Sequence, residues 1–390
     1  MSASSNHRQP VRRKVFLVGL ALPSQPRFTV EEHLDELAEL ASSSGATVVG
    51  RAIQQRPAPD PATYIGKGKA ETIAEEARSL GADGLVFDDD LSGSQTKNLE
   101  DVLKLPVQDR SSLILQIFDQ RARSREARTQ VELARLRYLL PRLTRQWGHL
   151  SRQQGGVGVR GGEGETQLEA DKRVLRQRIR ALERDLVKIE RTRATQRRGR
   201  HGVATVALAG YTNAGKSTLF NALTHAGALA ENRLFATLDA KLRRGQLGEG
   251  RSAVFADTVG FIRKLPHHLV ASFRSTLEES ARADLVLHVI DRSHPRWQEQ
   301  REVAGEVLRE LGVDNEKVVL VYNKRDLLPP GSIGDGGGLW VSAVSGEGLE
   351  ELREEVVRRL DLVAVPTFGY VEPEPVEDEL EEAETQLDPA

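Results

Sequence analysis

The first apolar run, KVFLVGLAL at 14–22, is short and rich in β-formers. VEEHLDELAELASSSG follows it with apolar positions at helical spacing up to a glycine. A strand and then a helix are predicted. The pattern recurs. ATVVGRAIQ (46–54) reads as a strand, and AETIAEEARSLGADGLVFDDD as a helix, a glycine stop and a strand. SGSQTKNLEDVLK reads as a capped helix and LPVQDR as a short strand. This alternation predicts a parallel α/β layer over residues 14–118.

Residues 121–200 change period. Leu136, Leu140, Leu143, Trp147 and Leu150 step by four, three, four, three, and so do Leu175, Ile179, Leu182, Leu186 and Ile189. Both are seams of the coiled-coil type. GGVGVRGGEGE (155–165) between them is too glycine-rich for a helix. Two long antiparallel helices with a flexible tip are predicted, the second from Thr166 to Arg193 and about 40 Å long at 1.5 Å per residue. Pro141 should kink or break the first. From ATVALAG (204–210) the α/β alternation resumes and runs to about residue 365.

Five segments result: a basic disordered tail (1–13), an N-terminal α/β domain (14–120), a basic helical hairpin (121–200) with its tip at 155–165, a second α/β domain (201–365) and an acidic disordered tail (366–390). At 390 residues the chain exceeds one ordinary core. No apolar run is long enough to span a membrane, and the polar, basic N-terminus lacks a signal-peptide core. With no cysteine there is no disulfide or thiolate metal site; a cytoplasmic location and a monomer are expected. The net charge of −2 conceals an asymmetry. Residues 121–200 hold 22 Lys and Arg against 9 Asp and Glu, whereas 371–390 hold nine acidic residues and no basic one. The basic middle predicts a polyanionic partner, RNA before a merely solvated charged face.

The chemistry concentrates in GYTNAGKS (210–217). Gly210, Gly215, Lys216 and Ser217 fit G-x-x-x-x-G-K-[ST], with a strand before and a helix after. Bare glycine backbone lets amides converge on phosphate oxygens at a helix N-terminus. Lys216 would neutralise the β/γ-phosphates and the Ser217 hydroxyl would bind Mg²⁺. GKGK at 66–69 lacks the hydroxyl and the spacing, and reads as a turn before a helix. In VVLVYNKRD, Asn323, Lys324, Arg325 and Asp326 fall at the end of a strand, where open parallel sheets bind ligands. The Asp326 carboxylate can accept from guanine N1–H and from the 2-amino group, a donor pair adenine lacks. Lys324 would lie along the base plane, and Asn323 would tie loops together. In SAVFADTVGF, Asp257 ends a strand and can hold Mg²⁺ through a water, while the Gly260 amide can approach the γ-phosphate. Thr237, in RLFATLDA, is the candidate for a second hydroxyl on Mg²⁺. LWVSAVSGEGLEEL is read as a strand ending in Ser342 and Ala343, suited to a backbone contact with the guanine oxygen.

The ordered set GYTNAGKS, Thr237, DTVG, NKRD and SA resembles the five motifs of Ras-like GTPases. TYIGKGKAETI, VFDDDLSGSQTKNLE, LILQIFDQRARSREARTQVELARLRYLLPRL, GGVGVRGGEGETQLE and FATLDA are similar to the HflX family of translational GTPases, over residues 14–365. The fold class expected is α/β: an N-terminal parallel domain, a long antiparallel helical arm and a C-terminal Ras-like P-loop GTPase domain. The resemblance implies GTP or GDP contacts from Gly210, Tyr211, Thr212, Asn213, Ala214, Gly215, Lys216, Ser217 and Thr218. It implies more from Phe235, Ala236, Thr237, Leu238 and Asp239, from Asp257, Thr258, Val259 and Gly260, from Asn323, Lys324, Arg325 and Asp326, and from Ser342, Ala343 and Val344. Lys216, Thr237 and Gly260 are the expected catalytic positions, and Mg²⁺ the expected cofactor. Binding to the 50S ribosomal subunit and its rRNA, splitting of 70S ribosomes and a part in stress recovery are implied, with Arg160 in the tip as a basic anchor.

Many Ras-like enzymes carry a water-orienting glutamine after the DxxG glycine; here Phe261 stands there, so slow intrinsic hydrolysis completed by a partner is expected. Asn213 has two readings: a ligand for K⁺, as in potassium-using relatives, or a residue that shapes its own loop. Two rival functions remain, a GTPase of ribosome assembly or RNA maturation, and a passive RNA-binding protein with a decayed nucleotide domain.

Overall fold

The computed structural model describes residues 13–143, 167–198, 203–225, 233–248, 250–264, 279–329, 331 and 337–361. Trp147, Leu150, the 155–165 tip with Arg160, and the acidic tail lie outside them. The first 109 residues contribute four strands, β1 (Lys14–Ala21), β2 (Thr47–Gln55), β3 (Gly84–Phe87) and β4 (Val107–Asp109), in the order β2-β1-β3-β4 with every pair parallel. Helices α1 (Arg27–Ser43), α2 (Lys67–Ser79), α3 (Gly93–Leu103) and α4 (Arg110–Arg121) alternate with them. A sheet covered on both faces needs strands that are apolar throughout. In β1, Val15 and Leu17 join Leu34 and Leu37 of α1 and Ile114 of α4. Phe16, Val18 and Leu20 join Ile73 of α2 and Leu99 of α3 on the other face. Helix α3 starts at a capping box between Ser92 and Gln95 and stops at left-handed Lys104.

The second sheet runs β10-β9-β8-β5-β7-β6, from β5 (Thr205–Gly210), β6 (Lys241–Gln246), β7 (Ser252–Asp257), β8 (Leu285–Asp291), β9 (Val318–Asn323) and β10 (Leu339–Trp340). All its pairs are parallel except β6 with β7, an antiparallel edge. The last strand stops at Trp340, short of the expected Ser342. It adds one further bond, Val341 N–H to the Tyr322 carbonyl (2.9 Å), before the chain turns away.

Of the two long helices expected in the arm, only the second is long among the described residues. Helix α5 (Arg125–Leu139) has 15 residues, and Pro141 sits in the 3₁₀ turn Leu140–Arg142 that ends it. Helix α6 (Gln167–Arg198) has 32 residues and overshoots the expected end by five. The two meet where Leu133, Ile179 and Leu182 are buried, with Leu136, Leu140 and Leu186 beside them. The opposite face of α5 sinks Ala127, Val131 and Ala134 into a core shared by both sheets. Phe118 of α4 meets Phe235 of the second unit edge to face, with ring centroids 4.7 Å apart.

A buried charge cluster joins the same two units. Arg110 donates to Asp88 (2.8 Å), to Glu36 and to the Arg263 carbonyl (3.1 Å). Lys264 reaches Asp88 and Asp89, at 2.5 and 2.6 Å. Asp88 and Arg110 are almost wholly enclosed. Removing one partner of such a cluster strands the others. Arg110→Ala is therefore expected to cost about 3–5 kcal/mol of unfolding free energy in a denaturant titration. A loss below about 1 kcal/mol, the scale of an exposed pair, would mean that the cluster is not formed in solution.

Candidate nucleotide site

The loop 210–215 links β5 to helix α7 (Lys216–Thr224). Gly215 has φ 90°, and a Cβ there would lie 2.2 Å from Asn323 Nδ2, so the turn tolerates only glycine. That same Nδ2 donates to the Ala214 carbonyl (2.9 Å), while Asn323 Oδ1 accepts from the Ala343 amide (3.1 Å). One asparagine at the end of β9 thus ties the loops after β5 and β10 together. They border a cavity of about 350 Å³ at the C-terminal end of the sheet. Thr212, Asn213, Gly215, Lys216, Ser217 and Thr218 line it, with Phe235, Ala236, Thr237, Thr258, Gly260, Asn323, Lys324, Asp326, Ala343 and Val344.

At one end Ser217 Oγ, Thr237 Oγ1 and Asp257 Oδ2 converge at 2.7–2.9 Å. Asp257 is fully buried, and its Oδ1 has no hydrogen-bond partner. Two hydroxyls and an under-satisfied carboxylate form a hard oxygen set, which fits a small divalent cation such as Mg²⁺. Lys216 Nζ donates to the carbonyls of Gly210 (3.2 Å) and Tyr211 (2.8 Å). Burial lowers its pKa to about 8, with Asp257 acting in the opposite direction. Gly260 packs so closely that a Cβ would lie 2.9 Å from that ammonium and 2.8 Å from the Thr212 Cα.

At the other end Asp326 is exposed to the cavity, and its Oδ1 accepts from Ser342 Oγ at 2.6 Å. Lys324 pairs with Asp291 at 2.7 Å. Asn213 is exposed at φ 61°, a left-handed conformation that asparagine tolerates.

Other residues named from the motifs turn their side chains elsewhere. Leu238 and Val259 are core residues, and Thr258 donates to the Leu208 carbonyl (2.7 Å). Arg325 pairs with Glu347 at 3.0 Å. Asp239 accepts from the amides of Arg123 (3.1 Å) and Ser124 (3.3 Å) at the start of α5. Phe261 is fully buried; its N–H donates to the Gly210 carbonyl (3.0 Å) and its carbonyl accepts from the Thr212 amide (2.7 Å). Tyr211 points away from the cavity, donating its hydroxyl to Glu36 and accepting from the Arg263 amide at 2.9 Å. Burial pushes the Glu36 carboxyl up, but Arg110, Arg263 and the Tyr211 hydroxyl outweigh it and hold it below the usual range. Arg233 and Leu327, which also line the cavity, were not anticipated, nor were Glu36 and Asp291. An acid at a strand end was the available signal for Asp291; a glutamate in a helical repeat gave none for Glu36.

Three family models match successive stretches: "GTP-binding GTPase N-terminal" over 31–119, "GTP-binding GTPase Middle Region" over 121–200 and "50S ribosome-binding GTPase" over 205–324. The chain is 46% identical over 359 residues to the GTPase HflX of Magnetococcus marinus, covering 90% of this chain and 83% of that one. It is 49% identical over 332 residues to the GTPase HflX of Caldanaerobacter subterraneus subsp. tengcongensis, covering 85% and 77%. Among solved structures it is similar in fold to SsGBP crystallised with GDP, with TM-score 0.50 and 24% identity over 89% of this chain and 98% of that one.

Proposed function

The chain belongs to the HflX family of GTPases, and from that premise we propose that it binds GTP and GDP, hydrolyses GTP to GDP and phosphate, and spends the cycle on the large ribosomal subunit. One observation carries the nucleotide reading: the Ser217, Thr237 and Asp257 oxygens and the Lys216 ammonium meet at one end of a cavity that Asp326 borders at the other. The triphosphate lies along the amides of 212–218, and the guanine edge faces Asp326. Ser217, Thr237 and Asp257 would hold Mg²⁺, which would supply charge neutralisation at the β/γ-phosphates. Lys216 exchanges its two carbonyls for phosphate oxygens, and the Gly260 amide is placed to donate to the γ-phosphate. Phe261 turns its ring into the core, so no side chain at that position orients water. A partner therefore completes the site.

Lys216 yields a pH prediction. Its pKa of about 8 in the free protein should rise once phosphates replace backbone carbonyls. Binding of GTP near pH 8 should then take up a fraction of a proton, and near pH 6.5 almost none. Titration calorimetry in buffers of different ionisation enthalpy measures this; equal uptake at both values would contradict it.

The partner reading rests on charge and on the family description. Arg173, Arg176, Arg180, Arg184, Lys188 and Arg191 recur at helical spacing along α6 and are all exposed. They lie opposite the Ile179–Leu182 seam, as an RNA-facing stripe should. The match of 205–324 to a 50S ribosome-binding GTPase favours the ribosome as that RNA. Splitting of 70S particles, in recovery from stress, is the specific action we assign. The test is sedimentation of 70S ribosomes with the protein and a non-hydrolysable GTP analogue, alongside GTP turnover with and without 50S subunits in KCl and in NaCl. Separated subunits and 50S-stimulated turnover are expected. Intact 70S particles with stimulated turnover favour the assembly role, and equal turnover without ribosomes refutes the partner. Equal rates in the two salts remove K⁺ from the site.

A further inference from the structure

Asp291 ends β8 and lies opposite Asn323 in the parallel pairing of β8 with β9. Strand register therefore sets it one residue from Lys324. The carboxylate is largely buried and uses its two oxygens differently. Oδ1 accepts from the Ser293 amide (3.0 Å) and hydroxyl (2.6 Å), which closes the turn after the strand. Oδ2 pairs with Lys324 Nζ at 2.7 Å. Lys324 is left-handed at φ 62° and starts the 3₁₀ turn Arg325–Leu327. Such a backbone persists in a lysine only when its surroundings hold it. The turn leads directly to Asp326, whose carboxylate bonds Ser342, and Lys324 and Asp326 line the same cavity.

We infer that Asp291 is a positioning residue of the base site. By anchoring the ammonium of Lys324 beyond the cavity wall, it lays the methylene stem flat for contact with a purine face. It also fixes the turn that aims Asp326. Nothing in the five motifs contains this residue; strand register brings it there. The inference rests on the reading that the cavity takes a guanine nucleotide, and it specifies which part of that nucleotide Asp291 serves. The pair lies at the base end and not beside the Ser217–Asp257 cluster. Its loss should weaken GTP and GDP equally and raise KM, while the phosphate chemistry at saturation proceeds as before.

The experiment is displacement of fluorescent mant-GDP from the full chain by GTP and by GDP, with GTP turnover measured in parallel. Asp291→Asn keeps the shape and an acceptor for the Ser293 turn but removes the charge. We expect about tenfold weaker binding of both nucleotides, about tenfold higher KM and kcat within about twofold, the last also reporting a folded protein. In a Lys324→Met background Asp291→Asn should cost almost nothing further, because the two act as one pair. Ser293→Ala should bind like the unaltered protein. Tight binding by Asp291→Asn overturns the inference alone. So does an equal loss in the Lys324→Met background, which would place the effect in the turn. An unaltered protein that fails to bind mant-GDP overturns the inference and the reading of the cavity together.

Discussion

Asp326→Asn is expected to move the protein from guanine to xanthine nucleotides. Guanine would present two donors, N1–H and the 2-amino group, to the Asp326 carboxylate, which is exposed and borders the cavity. Each charge-assisted bond is worth about 1.5–3 kcal/mol, so losing the pair costs between a hundredfold and ten-thousandfold in affinity. An amide offers one acceptor and one donor. Xanthine keeps N1–H but carries a carbonyl at C2, so it pairs with asparagine where guanine cannot. Ser342 Oγ, which donates to Asp326 Oδ1 at 2.6 Å, can donate to the asparagine carbonyl or accept from its amide, and so keeps the loop in place. Competition against mant-GDP should show GTP weakened about a thousandfold and XTP strengthened by a similar factor. Equal weakening of both nucleotides would mean that Asp326 supports the loop without reading the base.

The second large effect is expected at Lys216. Lys216→Ala should lower GTP turnover at saturation by about a thousandfold, the scale of removing a preorganised charge from a water-poor site. Lys216 is only 6% exposed, and its ammonium is held between the Gly210 and Tyr211 carbonyl oxygens. Lys216→Arg should fare almost as badly. A guanidinium needs room where Gly260 already approaches within van der Waals reach, with a notional Cβ 2.9 Å from Nζ. Phosphate release under saturating GTP, with and without 50S subunits, measures both variants. Turnover within about tenfold of the unaltered protein would remove Lys216 from the chemistry.

Much of this site could be read in the sequence because its parts are local. A phosphate loop needs its glycines, lysine and hydroxyl at fixed spacing between a strand and a helix, and Gly210 to Ser217 have that spacing. The edge strand β6 escaped notice because Lys241, Arg243, Arg244 and Gln246 give it the polar look of a loop; only Gly245 of its six residues is buried. The apolar steps at Leu136 and Leu140 were visible, but they could not show that α5 ends at Leu139 or that its other face serves a shared core. Motif neighbours misled where the side chains diverge. Leu238 and Asp239 follow Thr237 directly, yet one enters the core and the other reaches the amides that begin α5. Glu36 was least legible. It sits in the helical pattern HLDELAEL like any solvated glutamate. Its burial arises from residues 74 and 175 positions away, Arg110 and Tyr211.

The central claim, that one cavity holds the guanine at Asp326 and the triphosphate on the Lys216 loop, is tested most directly by competition between GTP and ATP. With the full chain, mant-GDP and excess Mg²⁺, GTP should displace the probe stoichiometrically at micromolar concentration, and ATP should fail at about a thousand times that concentration. Displacement by ATP and GTP at similar concentrations, or no binding of the probe at all, would contradict the account.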